Sequence, residues 1–220
     1  MAFKNIDQRL IDECTKDIIN IEIIKSLIST GADVNAFDSD YAQELYDSIL
    51  DYYIDAQNPN LSNLYKITNL FLEGGLVLSQ NQNDSDYFLP SRFRFLPPDK
   101  TCVDTFKLLL EKGSFSFYDL DQFIDDATLD LHLGEYYFYE DTHYSKNDSI
   151  NYYLELIYWA CAYNAKVYPE KCKKDVLQFD LFDRKKNKVE LIEKNHSTAV
   201  FIECLKTKHR IEISGWSMKY

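Results

Sequence analysis

The sequence predicts a mainly α-helical fold: a helical-repeat solenoid of about four helix pairs, followed by a small C-terminal antiparallel β meander. Three observations carry this. Apolar residues recur on one helical face ahead of a Gly or Asn, and they do so four times along the chain. The spacing of those closing residues, 43, 39 and 51, suits stacked supersecondary units, each too small to bury its apolar face alone. After residue 165 the helical period gives way to two-residue alternation, and the charge balance changes sign there.

Gly31 closes the first pattern, with Ile21, Ile24, Leu27 and Ile28 at offsets −10, −7, −4 and −3. Gly74 closes the second behind Leu64, Ile67, Leu70 and Phe71. Gly113 closes the third behind Val103, Phe106, Leu109 and Leu110, and Asn164 the fourth behind Leu154, Ile157, Ala160 and Cys161. Gly and Asn are the residues that best tolerate the left-handed conformation ending a helix, so each is expected as a terminator. A valine follows three residues later at Val34, Val77 and Val167.

Each closing helix is preceded by a candidate first helix, over 6–17, 41–56, 85–95 and 119–139. Turn signals at "QNPNLS", "LPPDK" and "HYSKNDS" separate the members of the later pairs. Pro90, Pro97 and Pro98 leave little room for the first helix of the third pair. In the tail, Phe179/Leu181 and Val189/Leu191 read as two strands joined by an Arg-Lys-Lys-Asn turn. Phe201/Glu203 and Ile211/Ile213 read as a second pair, with 197–206 as a short helix in the alternative. The domains expected are a repeat domain over 1–165 and a basic β-rich cap over 166–220.

The stretch "IEIIKSLISTGADVNAFDSD" resembles the ankyrin repeat, whose second helix runs into a G-A-D-V-N-A turn and an extended finger. Gly31, Ala32, Asp33, Val34, Asn35, Ala36, Asp38 and Asp40 fall where that family has those residue types. The next helix departs from it, with Gln43-Glu44-Leu45-Tyr46 in place of Thr-Pro-Leu-His. The other three units keep the helix pattern and closing residue only. The resemblance implies binding of another macromolecule through the fingers and the concave face of the first helices.

Composition narrows the function classes. Aromatics make up 15% of the chain, with 17 Tyr and 14 Phe, which excludes wholesale disorder. No apolar run is long enough to span a bilayer, and the N-terminus lacks the apolar core of a signal peptide, so a cytoplasmic protein is expected. The 5 cysteines are scattered without a C-x-x-C pair, which argues against structural zinc and a disulfide framework. Residues 1–165 hold 11 Lys/Arg against 28 Asp/Glu, a balance of −17; residues 166–220 hold 13 against 8, a balance of +5. The acidic part should repel nucleic acid and attract cationic partners.

No phosphate loop, H-E-x-x-H, G-x-S-x-G or catalytic-cysteine signature occurs, and no cofactor, metal or catalytic residue is expected. His132 and His143, with Glu135, Glu140 and Asp141 between them, match no ligand spacing. The function expected is a non-enzymatic protein-interaction module whose partner has a basic surface, with the chain itself a monomer or weak dimer. Small acidic proteins of this pattern also resemble bacterial immunity proteins, which neutralise cationic toxins. The candidate partner-binding residues are Asp33, Asp38, Asp40, Tyr41, Tyr46, Asp84, Asp86, Asp119, Asp121, Asp125, Tyr136 and Tyr137. Tyrosine suits such a surface because it offers large contact area with little entropy loss. The alternative is an enzyme or effector using the aspartates of residues 119–130 as paired carboxylates.

Overall fold

The computed structural model describes residues 4–38, 43–56, 59–77, 89–113, 115–133, 144–168, 179–183 and 188–192. Among them the chain is mainly helical, with eight α-helices, and it divides into two compact units, Met1–Ser114 and Phe115–Tyr220.

The first unit contains α1 (Asn5–Cys14), α2 (Ile21–Ser29), β1 (Phe37–Asp38), β2 (Gln43–Glu44), α3 (Leu45–Asp55), α4 (Leu61–Glu73), α5 (Leu89–Arg92) with a 3-10 turn (Phe93–Phe95), and α6 (Lys100–Lys112). Side-chain caps start two of these helices. The Asn20 Oδ1 accepts the Glu22 and Ile23 amides at 3.0 and 3.2 Å, and the Asp99 Oδ1 accepts the Thr101 amide at 2.7 Å. Helix α1 packs on α2 and also on α3, while α4 packs on α6. One contact thus joins two first helices, α1 and α3, and another joins two second helices, α4 and α6. Of the sixteen apolar positions read from the sequence, all but Ile21 and Ile28 are buried.

Polar groups inside this unit are tied to backbone. The Glu13 Oε1 accepts the Asn20 amide at 2.9 Å, the Asn63 side chain donates to the Asp17 carbonyl at 3.1 Å, and the Tyr53 hydroxyl donates to the Cys14 carbonyl at 3.2 Å. Satisfying such groups avoids the cost of burying them unpaired.

The helix ends correct the expected terminators. At α2 the Gly31 amide bonds to the Ile28 carbonyl and the Ala32 amide to the Leu27 carbonyl, with Gly31 at φ +109°. This double bond is the Schellman arrangement that a left-handed residue permits. Helix α4 ends the same way, but through Gly75: φ is +88°, Gly75 bonds to the Leu72 carbonyl, and Leu76 bonds to the Phe71 carbonyl. Gly74 is a right-handed C-cap at φ −78°. The register of the second helix pair thus moves by one residue, which explains why Val34 is buried while Val77 is 68% exposed. Gly113 sits at φ −86° and ψ 177°, and Asn164 lies inside α8, so neither is a left-handed terminator.

The second unit contains α7 (Phe117–Leu133) and α8 (Lys146–Val167), packed on each other, then β3 (Phe179–Asp183) and β4 (Lys188–Ile192). A reciprocal capping box starts α8: the Ser145 hydroxyl accepts the Asp148 amide at 3.2 Å and the Asp148 carboxylate accepts the Ser145 amide at 2.7 Å. Strands β3 and β4 pair antiparallel, Phe179 opposite Ile192 and Asp183 opposite Lys188. The strand pair read from Phe201–Ile213 lies outside the described residues. The charge boundary near residue 165 falls within the last turns of α8, whereas compactness divides the chain after Ser114.

Candidate functional site: the finger and its base

The segment leaving α2 is built from the residues that carried the resemblance. The Asp33 carboxylate accepts the Asn35 amide at 2.9 Å, and the Asp33 carbonyl accepts the Ala36 amide at 2.9 Å, turning the chain outward. The Asp33 amide donates to Asp7 Oδ1 at 2.9 Å. Asn35 then reaches the segment leaving α4, donating to the Gly75 carbonyl at 3.0 Å and accepting the Val77 amide at 2.7 Å. With the register set by Gly31 and Gly75, Asp33 and Val77 occupy the same step. Both amides are held by a side chain from earlier in the chain.

Beyond Ala36, β1 and β2 form an antiparallel ladder with Phe37 opposite Glu44 and Asp38 opposite Gln43, and the Leu45 amide closes its base on the Ala36 carbonyl at 2.9 Å. Phe37 is 47% exposed, so two large apolar side chains, Phe37 and Val77, stand open on neighbouring segments. Large exposed apolar groups mark interaction surfaces more often when they lie together than when scattered.

At the base of this finger sits a mixed-charge cluster. The Arg92 guanidinium pairs with Asp51 on α3, and the Gln43 amide group donates to the same carboxylate. Asp47, one turn earlier on α3, is 5% exposed. Burial pushes its carboxyl up to about 7, helped by the negative charge of Glu44 and opposed by Arg92.

The structure sorts the predicted residues. Asp33 is exposed, with part of its carboxylate engaged in the turn. Asp38 lies on β1, its side chain outside the described residues. Tyr46 is corrected from surface to core: it is 1% exposed, its hydroxyl meets the Thr68 hydroxyl at 2.5 Å, and its ring lies 5.8 Å from that of Phe71. Leu45, Ile49 and Tyr53 on α3 share its burial, and its hydroxyl and ring both meet residues of α4. On α7, Asp119 closes a capping box with Ser116, accepting its amide at 2.8 Å. Asp121 is half-buried and Asp125 exposed. Asp40, Tyr41, Asp84, Asp86, Tyr136 and Tyr137 lie outside the described residues.

Sequence reasoning missed Phe37, the bridging by Asn35, and the grouping of Asp47, Asp51 and Arg92. Phe37 had a signal, since an aromatic inside an otherwise polar finger has no helix face to join. The cluster had none, because Arg92 is far from Asp47 in sequence. Among the described residues no group of three or more His, Cys, Asp or Glu side chains could hold a metal ion. A groove of about 430 Å³ runs between α4 and α6, past Tyr65, Lys66, Thr101, Asp104 and Lys107, apart from the predicted residues. Among the described residues no helix is long and apolar enough to cross a membrane. No protein-family model matches the chain, and no curated protein or solved structure matches it.

Proposed function

We propose that the chain is a non-enzymatic protein-interaction module of ankyrin-like helix pairs, and that its finger receives a partner with a basic surface. The observation that carries this reading is the pair of equivalent segments after Gly31 and Gly75. Both leave a helix through a left-handed glycine, they are fastened together by Asn35, and they hold Phe37 and Val77 open. A rigid backbone presenting an aromatic anchor favours binding because little further ordering is needed. The balance of −17 over residues 1–165 supplies the attraction to a cationic protein, as in immunity-type proteins acting on cationic toxins. Solenoid stacking of the pairs, with the tail strands as a terminal cap, is the arrangement this reading assumes. A reducing, cytoplasmic setting accords with Cys14, Cys102 and Cys161, which are free and buried.

The aspartates of α7 fit this reading better than paired-carboxylate catalysis. Asp119 is committed to its helix N-terminus, and Asp125 faces solvent.

The test is capture of partners from the source organism by the immobilised chain at low and high salt, beside a Phe37→Ala/Val77→Ser variant. The expected result is a basic protein retained at low salt, released at high salt and lost with the variant. Retention of no protein, or of one indifferent to both salt and the variant, overturns the proposal.

A further inference from the structure

We propose that the groove between α4 and α6 receives a second copy of this chain, in a two-fold pairing that sets Lys66 of each copy against Glu111 of the other. The surface is separate from the finger, and the inference does not rest on the binding reading.

The distribution of charge singles this face out. Helices α4 and α6 carry Lys66, Lys100, Lys107 and Lys112 against Glu73, Asp104 and Glu111. The rest of residues 1–165 holds 7 Lys/Arg against 25 Asp/Glu. A strongly basic partner is drawn to that acidic remainder, and a strongly acidic one is repelled by it. A second copy brings the same acidic excess, so it can approach closely only where the charges of the face nearly cancel. At physiological salt, exposed charges farther apart than about 8 Å are largely screened, which leaves the pairs in contact to decide the match.

The groove is also complementary to itself. Its volume is about 430 Å³; α4 lines it with Tyr65 and Lys66, and α6 with Asp104, Lys107, Leu108 and Glu111. Asp104 is shared by Lys100 at 3.5 Å and Lys107 at 3.4 Å, and Lys112 donates to Asn69 at 2.6 Å, which ties α6 to α4. Lys66 and Glu111 are both exposed, and neither side chain has a hydrogen bond or ion pair among the described residues. One charge of each sign is thus left open, the cation on α4 and the anion on α6. In a two-fold interface residue i meets residue j while j meets i, so one such pairing satisfies both charges of both copies. Tyr65, 39% exposed beside Lys66, supplies an aromatic contact of the kind that anchors interfaces. Exposed ion pairs are individually weak, so the dimer forms at high protein concentration and takes its register, more than its strength, from charge.

Sedimentation equilibrium of the full chain, from low micromolar to near-millimolar concentration at about 0.15 M salt, tests this. Wild type should pass from monomer to dimer. Lys66→Glu and Glu111→Lys should each raise the dissociation constant about tenfold or more, because each puts two like-charge contacts in place of two attractive ones. An equimolar mixture of the two variants should dimerise again, since each supplies the charge the other lacks, and the double variant should do so alone. Tyr65→Ala should weaken the dimer with no change of charge. A wild type that stays monomeric throughout overturns the proposal and leaves the groove to a foreign partner. A dimer that both reversals leave intact overturns it as well, and so does a loss that neither the mixture nor the double variant repairs. Partner capture is read through Phe37 and Val77, so failure here leaves the binding reading standing.

Discussion

The chain leaves α2 and α6 in opposite ways, although both helices end at a glycine. After α2 the left-handed Gly31 turns the backbone out of the helix axis, and β1 and β2 pair before α3 begins. After α6, Gly113 is extended at φ −86°, and only residues 113–116 separate the helix from α7. Phe115 in that short link is buried, and Ser116 already caps the next helix. A closing glycine therefore does not by itself make a finger. The left-handed geometry does, together with side chains such as Asp33 and Asn35 that accept or replace the backbone bonds of the turn.

The largest effect sets the scale for this comparison. Phe71 is fully buried against Tyr46, and its carbonyl accepts the Leu76 amide that ends α4. Phe71→Ala should destabilise the protein by about 3–5 kcal/mol, through lost burial and the cavity left behind, as read from urea unfolding. A loss below about 1 kcal/mol would show that α3 and α4 do not pack as described.

Next comes the glycine pair. Gly31→Val and Gly75→Val should each cost about 1–2 kcal/mol or more, because a β-branched residue is forced to positive φ. No atom lies within 4 Å of a Cβ added at either glycine, so the cost is conformational rather than steric. Equal losses would sharpen the equivalence of the two segments. A neutral Gly75→Val in a thermal melt would return the register to Gly74.

This is also where the sequence was readable and where it was not. The apolar offsets located all four second helices, because a buried stripe repeats every three to four residues whatever its neighbours are. The strongly matched "GADVN" located the left-handed end at Gly31. In the second helix pair two glycines stand side by side, and composition cannot say which takes positive φ. At Asn164 the pattern marked a buried face but not a helix end, since α8 continues to Val167. Tyr46 was ambiguous for another reason: a tyrosine can offer its ring to a partner or its hydroxyl to a buried group, and Thr68, which decides it, lies on another helix. Asp47 and Arg92 meet only through folding.

A smaller effect tests the fastening between the two segments. Asn35→Ala removes one donor and one acceptor bond, to Gly75 and Val77, at an exposed position. The expected loss is about 1 kcal/mol, with faster hydrogen exchange at the Val77 amide. Unchanged exchange at Val77 would show that Asn35 does not hold the second segment.

The smallest effect is expected at Gly113, and it closes the comparison. Its backbone lies in the extended region open to any residue, so Ala there incurs no left-handed strain and reduces the freedom of the unfolded chain. Gly113→Ala should therefore change stability by no more than about 0.5 kcal/mol, with stabilisation the favoured direction. Measured beside Gly31→Ala under the same conditions, it separates glycine as a finger-former from glycine as a plain helix stop. Equal destabilisation at the two sites would break that distinction. It would mean that the link into α7 requires a left-handed residue after all, and that the third helix pair ends as the first two do.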